Sequence, residues 1–106
     1  MPSTAQAAQD VNSKANEVRK AAKTYDKARE RQDKRHERTV EAYEEWRDAK
    51  PPTEAQTKAL RDAQARENAA IQDTNKAADA LAAAALALSA AMVELSAAMM
   101  AASAAP

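Results

Sequence analysis

Large side chains recur along this chain at the spacing of a helix that lies against another helix. Val11, Val18, Tyr25, Gln32, Thr39 and Trp46 stand seven residues apart, flanked by a second row of Ala15, Ala22, Arg29, His36 and Tyr43. A seven-residue recurrence keeps one edge of a helix turned toward a partner. Further on, the series Leu60, Gln64, Glu67, Ile71, Thr74, Ala78, Leu81, Ala85, Leu88, Met92, Leu95 and Met99 alternates steps of three and four and draws a matching stripe. Between the two stripes lies Lys50-Pro51-Pro52-Thr53. Proline removes a backbone donor and pushes the preceding residue out of the α region, so a helix must end there. Each segment opens on a Ser/Thr-x-x-Gln capping box, Ser3-Thr4-Ala5-Gln6 and Thr53-Glu54-Ala55-Gln56, in which hydroxyl and amide satisfy N–H groups that a helix start leaves free. The pattern predicts one helix over 4–49, a turn over 50–53 and a second helix over 53–105, about 70 and 80 Å long at 1.5 Å per residue.

Folding the chain back at the prolines makes facing residues sum to about 103, the index arithmetic of an antiparallel αα-hairpin. Tyr43 and Trp46 then meet Thr57 and Leu60 and pack the hairpin tip. Thr39 and His36 meet Gln64 and Glu67, a polar layer within the seam, and Tyr25 and Ala22 meet Ala78 and Leu81. Polar positions fall opposite polar ones, which neither stripe alone imposes. The expected fold is a single all-α domain over 1–106, a coiled-coil-like hairpin of two long helices able to assemble into a larger bundle or filament.

The last third repeats itself. Leu81–Ala87, Leu88–Glu94 and Leu95–Ala101 align as three consecutive heptads. Leu81, Leu88, Met92, Leu95 and Met99 are expected to pack within the hairpin. Leu86, Val93 and Met100 lie about 140° round the helix from the leucines, where the same partner helix cannot reach. That outer row calls for another copy of the chain, a partner helix or a lipid surface.

Composition sharpens this picture. Of the 48 hydrophobic residues among 106, 31 are alanine, and Val, Ile, Leu and Phe together number ten. Large side chains are too few for a conventional compact core. Sixteen basic residues balance sixteen acidic ones, which sets the chain apart from the strongly charged sequences that stay disordered. The absence of glycine excludes phosphate-cradling and dinucleotide loops, and the absence of cysteine excludes disulfides, thiol nucleophiles and thiolate metal sites. His36 is the only histidine. No metal-binding spacing surrounds it, so neither catalysis, a cofactor nor a small-molecule substrate is expected; beside Glu67 it reads as a polar seam contact that pH could weaken if buried. Tyr25, Tyr43 and Trp46 share helical spacing on the seam and read as packing rather than as a ligand box.

A basic row, Arg19, Lys23, Lys27, Arg31 and Arg35, precedes an acidic row, Asp33, Glu37, Glu41 and Glu45. The reading adopted is a solvated face laced by pairs such as Glu30–Lys34; facing rows of neighbouring copies would instead set a stagger between them. Nucleic-acid binding is disfavoured, because acids interleave the bases and no stacking aromatic motif is present. A membrane span is disfavoured as well: Asp79 and Glu94 leave only 14 uncharged residues between them, short of the roughly 20 that a span needs.

Residues 1–10 carry no basic start and no apolar run, so a secretory signal is not expected, leaving the cytoplasm or a signal-independent export route. A hairpin of about this length with Trp46-Arg47-Asp48 near its turn loosely resembles the small Trp-x-Gly proteins of type VII secretion, although Asp48 replaces the motif's glycine and no C-terminal Tyr-x-x-x-Asp/Glu follows. The proline turn also resembles that of type III secretion needle subunits, without their spaced prolines. Such a resemblance implies a hairpin that is exported, pairs or polymerises. The functional expectation is a non-enzymatic protein that self-associates, or packs against partner helices, through its apolar C-terminal helix. The alternatives are a secretion component or chaperone-like adaptor, and a membrane-interacting hairpin.

Overall fold

The computed structural model describes residues 2–104 and consists of two helices, α1 over Thr4–Asp48 and α2 over Glu54–Ala104. Position 105, the expected end of the second helix, lies outside the described residues. Both capping boxes close as the sequence predicts. The Ser3 amide donates to Gln6 Oε1 at 3.0 Å and the Gln6 amide to Ser3 Oγ at 3.2 Å. Thr53 and Gln56 repeat this at 2.9 and 3.1 Å. Ser3 and Thr53 therefore stand just outside the helices as caps, and their carbonyls accept the first helical bonds, from Ala7 and Thr57.

The chain divides into two units. In the one formed by Tyr25–Ala77, the helices run antiparallel in the predicted register. Trp46 Nε1 donates to Thr57 Oγ1 at 3.1 Å, Thr39 Oγ1 reaches the Ala63 carbonyl at 3.2 Å, and His36 Nδ1 lies 2.7 Å from Glu67 Oε2; all three agree with an index sum of about 103. Ala28, Ala70 and Ala77 are buried, with Thr74 beside them. The Thr74 hydroxyl avoids the cost of burial by donating to the Ala70 carbonyl at 3.0 Å. In the unit formed by Met1–Thr24 with Ala78–Pro106, the buried residues are Ala7, Ala91 and Ala98, and Val11, Val18, Leu81, Leu88 and Leu95 are half-buried around them.

Among the described residues every buried apolar residue is thus an alanine. The leading row of each expected stripe is correctly placed; the second row is half-buried as expected at Ala15, Ala22, Ile71 and Ala78 and is one residue out elsewhere. On α1 the inward partners of Val11, Val18, Tyr25, Gln32, Thr39 and Trp46 are Lys14, Ala21, Ala28, Arg35, Ala42 and Ala49, whereas Arg29, His36 and Tyr43 face solvent. On α2 the inward partners are Ala63, Ala70, Ala77, Ala84, Ala91 and Ala98, whereas Gln64, Ala85, Met92 and Met99 face solvent. The cause is steric. An alanine at every seventh position lets two backbones approach until a single methyl fills the gap. A hydroxyl of α1 bonding directly to a carbonyl of α2, as Thr39 does at Ala63, requires such proximity. At that separation a longer side chain has no room in the seam and takes the adjacent position, where it leans outward.

Enlarging a seam alanine should therefore be costly. Ala70→Leu should lower stability by about 1–3 kcal/mol through overpacking, while Gln64→Leu, at an exposed position, should change it by less than about 0.5 kcal/mol. Urea titrations of the two variants read the contrast; equal losses would show that the alanine row is not the contact.

Candidate interaction surface

At the hairpin tip the side chains form a short relay. The Trp46 indole donates to Thr57 Oγ1, which in turn donates to the Thr53 carbonyl at 3.1 Å. Tyr43 does not enter the seam beside Leu60 as expected. It is about half exposed, and its ring stacks on Trp46 with centroids 6.3 Å apart and planes 28° apart, while Arg47 lies over its other neighbourhood at 5.9 Å. Leu60 is half-buried in the seam. Trp46-Arg47-Asp48 is thus bound up with local packing: indole to Thr57, guanidinium to Tyr43 and to Asp48 Oδ1 at 3.1 Å.

The polar layer is narrower than the sequence implied. Gln64 is exposed and takes no part in it. His36 is largely exposed as well, its ring reaching inward to a much less accessible Glu67. Donation from His36 holds the Glu67 carboxyl below its ordinary value, against the opposing pull of partial burial. His36 is therefore a lid on a half-buried carboxylate, not a buried histidine layer.

The apolar C-terminal half of α2 separates into an inner and an outer surface. Leu81, Leu88 and Leu95 are half-buried against α1, as expected. Leu86, Val93 and Met100 are 73%, 70% and 70% exposed. Met92 and Met99, expected to pack within the hairpin, are 53% and 55% exposed and belong to this outer surface, displaced from the seam by the alanines that precede them. Between the two exposed rows runs a third that hydrophobicity alone does not single out, Ala82, Ser89 and Ser96. Small side chains between two larger rows make a shallow groove, its floor turned about 130° from the seam at 100° per residue. The signal for both the alanine seam and this floor was present in the sequence as small residues recurring every seven positions.

The remaining surface offers less chemistry. Two open depressions lie in the Tyr25–Ala77 unit. One, of about 580 Å³, is lined by Pro52, Glu54, Thr57, Lys58, Arg61 and Asp62; the other, of about 150 Å³, by Arg31, Lys34, Arg35 and Arg38. Among the described residues the ion contacts within 4 Å are His36–Glu67 and Arg47–Asp48. The anticipated Glu30–Lys34 pair is not closed. No group of three His, Asp or Glu side chains among the described residues is placed to hold a metal.

Two substitutions probe these contacts. Thr57→Val should cost about 1 kcal/mol by orphaning the Trp46 indole and should shift the emission of the chain's only tryptophan. Glu67 has a lowered pKa in the folded chain, so its contribution is present above its ordinary value of 4.5 and is lost as pH falls below it. Stability of the native chain should consequently fall toward that of Glu67→Gln in acid titrations, and a gap that stays constant down to pH 3 would remove the role assigned to His36–Glu67. No protein-family model, no curated protein and no solved structure matches the chain.

Proposed function

We propose that this chain is a non-enzymatic association module, a helical hairpin that self-associates through the outer face of the C-terminal half of α2. The observation that carries the reading is the exposure of Leu86, Met92, Val93, Met99 and Met100 on one side of one helix. Scattered apolar residues are ordinary on protein surfaces, but five of them in two adjacent rows along one helix mark a contact surface. At about 1–2 kcal/mol for each of these partly exposed side chains, ten of them across two copies would supply about 10–20 kcal/mol. Association costs about 4–15 kcal/mol in lost freedom. The balance favours assembly that depends on concentration. Methionine, three of the five, suits contacts that adjust to an irregular partner.

A lipid surface is the competing occupant. An 18-residue window of α2 has a mean hydropathy of 1.8 and is only 6% buried. Against it stands charge: no basic residue follows Lys76, while Asp79 and Glu94 remain, and surface-bound helices normally present cations to anionic headgroups.

The double variant Val93→Glu/Met100→Glu should reduce the molecular mass measured by light scattering across a concentration series, with helicity by circular dichroism unchanged. An unaltered mass would remove the outer face from the assembly. The intact chain should stay behind when neutral or anionic vesicles are floated through a density gradient; co-flotation that the same double variant abolishes would assign the face to lipid.

A further inference from the structure

We infer that two copies meet antiparallel along the groove of α2, with Ser89 of one facing Ser96 of the other. This deepens the self-association reading and rests on it. Three observations lead to it, each independent of the mere presence of an apolar face.

The first is the construction of the groove. Its floor of Ala82, Ser89 and Ser96 recurs every seven residues, as do the alanines of the seam that already receives α1. A floor of small side chains accepts another helix at close range. Ala83 and Ala90 also recur at seven on an exposed row, but beyond them stand Ala87 and Glu94 rather than large apolar side chains, so the Ala82–Ser89–Ser96 row is the one walled by apolar rows on both sides.

The second is self-complementarity. An isologous contact must match a surface to itself under a two-fold axis. In an antiparallel arrangement with facing indices summing to about 185, Ser89 lies opposite Ser96, Val93 opposite Val93, Met92 opposite Met92 and Leu86 opposite the Met99–Met100 step. Every large exposed residue of the groove then finds an apolar partner, and the two hydroxyls of each serine pair come within reach of one another.

The third is charge. Asp79 continues the row of Leu86, Val93 and Met100 seven residues earlier, and no cation lies beyond Lys76 to neutralise it. A parallel pair would set the two Asp79 carboxylates at the same level, like against like. The antiparallel pair places the two Asp79 residues at opposite ends, about 40 Å apart at 1.5 Å per residue, beyond the reach of screened repulsion. Glu94 is indifferent to the choice, because it projects from the side of α2 away from the groove floor. A face carrying the acid Asp79 and no base likewise offers an anionic membrane nothing to bind, which favours a second copy as occupant.

The chain contains no cysteine, so single Ser89→Cys and Ser96→Cys variants report on one position each. Both positions are exposed, and the exchange of hydroxyl for thiol leaves the seam untouched. A disulfide forms only where two Cα atoms come within about 7 Å. Under mild oxidation an equimolar mixture of the two variants should give a disulfide-linked dimer on non-reducing gels, and neither variant alone should. Linkage of each variant with itself would show a parallel contact and overturn the inference. So would an assembly, detected by sedimentation, in which no combination is linked. If the native chain remains a monomer in solution at high concentration, the self-association reading falls first and this inference with it. Monomer that binds neutral vesicles would assign the groove to lipid.

Discussion

The close approach of two backbones over alanine is the constraint on which the rest of this structure depends. A seam whose fully buried apolar residues are all alanine contributes little transfer free energy per residue. Its stabilisation comes instead from dispersion contacts along the whole seam and from side chains that bridge to the opposing backbone. Thr39 reaching the Ala63 carbonyl is the visible sign of that proximity. A narrow seam also explains why no large side chain among the described residues is fully buried: Tyr25, Trp46, Leu60, Ile71, Leu81, Leu88 and Leu95 can only line its edges, each half in solvent.

The same constraint generates the outer face. Because Ala91 and Ala98 occupy the seam at close range, Met92 and Met99 are excluded from it and join Leu86, Val93 and Met100 outside. A wider interface would have absorbed both methionines and left α2 with a single exposed row. Close packing within one chain and an unsatisfied surface on the same helix are therefore two consequences of one choice of residue. Near the turn the chain has polar means of closure, the Trp46–Thr57–Thr53 relay and the His36–Glu67 pair. Toward the C-terminus it has none, and the helix there is almost uncharged. Order near the turn is fixed by directional bonds; contacts farther along are fixed by the fit of apolar side chains.

The four cations Arg31, Lys34, Arg35 and Arg38 share one open depression, but Glu30, Asp33 and Glu37 are interleaved with them in sequence, so the local field is mixed. Charge is concentrated on α1 and the first half of α2, which leaves the apolar C-terminal half of α2 as the distinctive surface.

Local chemistry was written fully in the sequence: two helices, two reciprocal capping boxes, a proline turn, and a register that Trp46–Thr57 and His36–Glu67 confirm. These depend on neighbours within a turn of helix or on matching two stripes, which order of residues alone supplies. What only the tertiary structure decided was which side of each leading row turns inward. Hydrophobic size favours Met92 over Ala91 and Met99 over Ala98, and in an ordinary core it would have been right. Here interhelical distance is the deciding quantity, and distance is a property of two helices together, not of either stripe. The alanines recurring every seven residues were legible from the start; their meaning appeared only once the second backbone was in place.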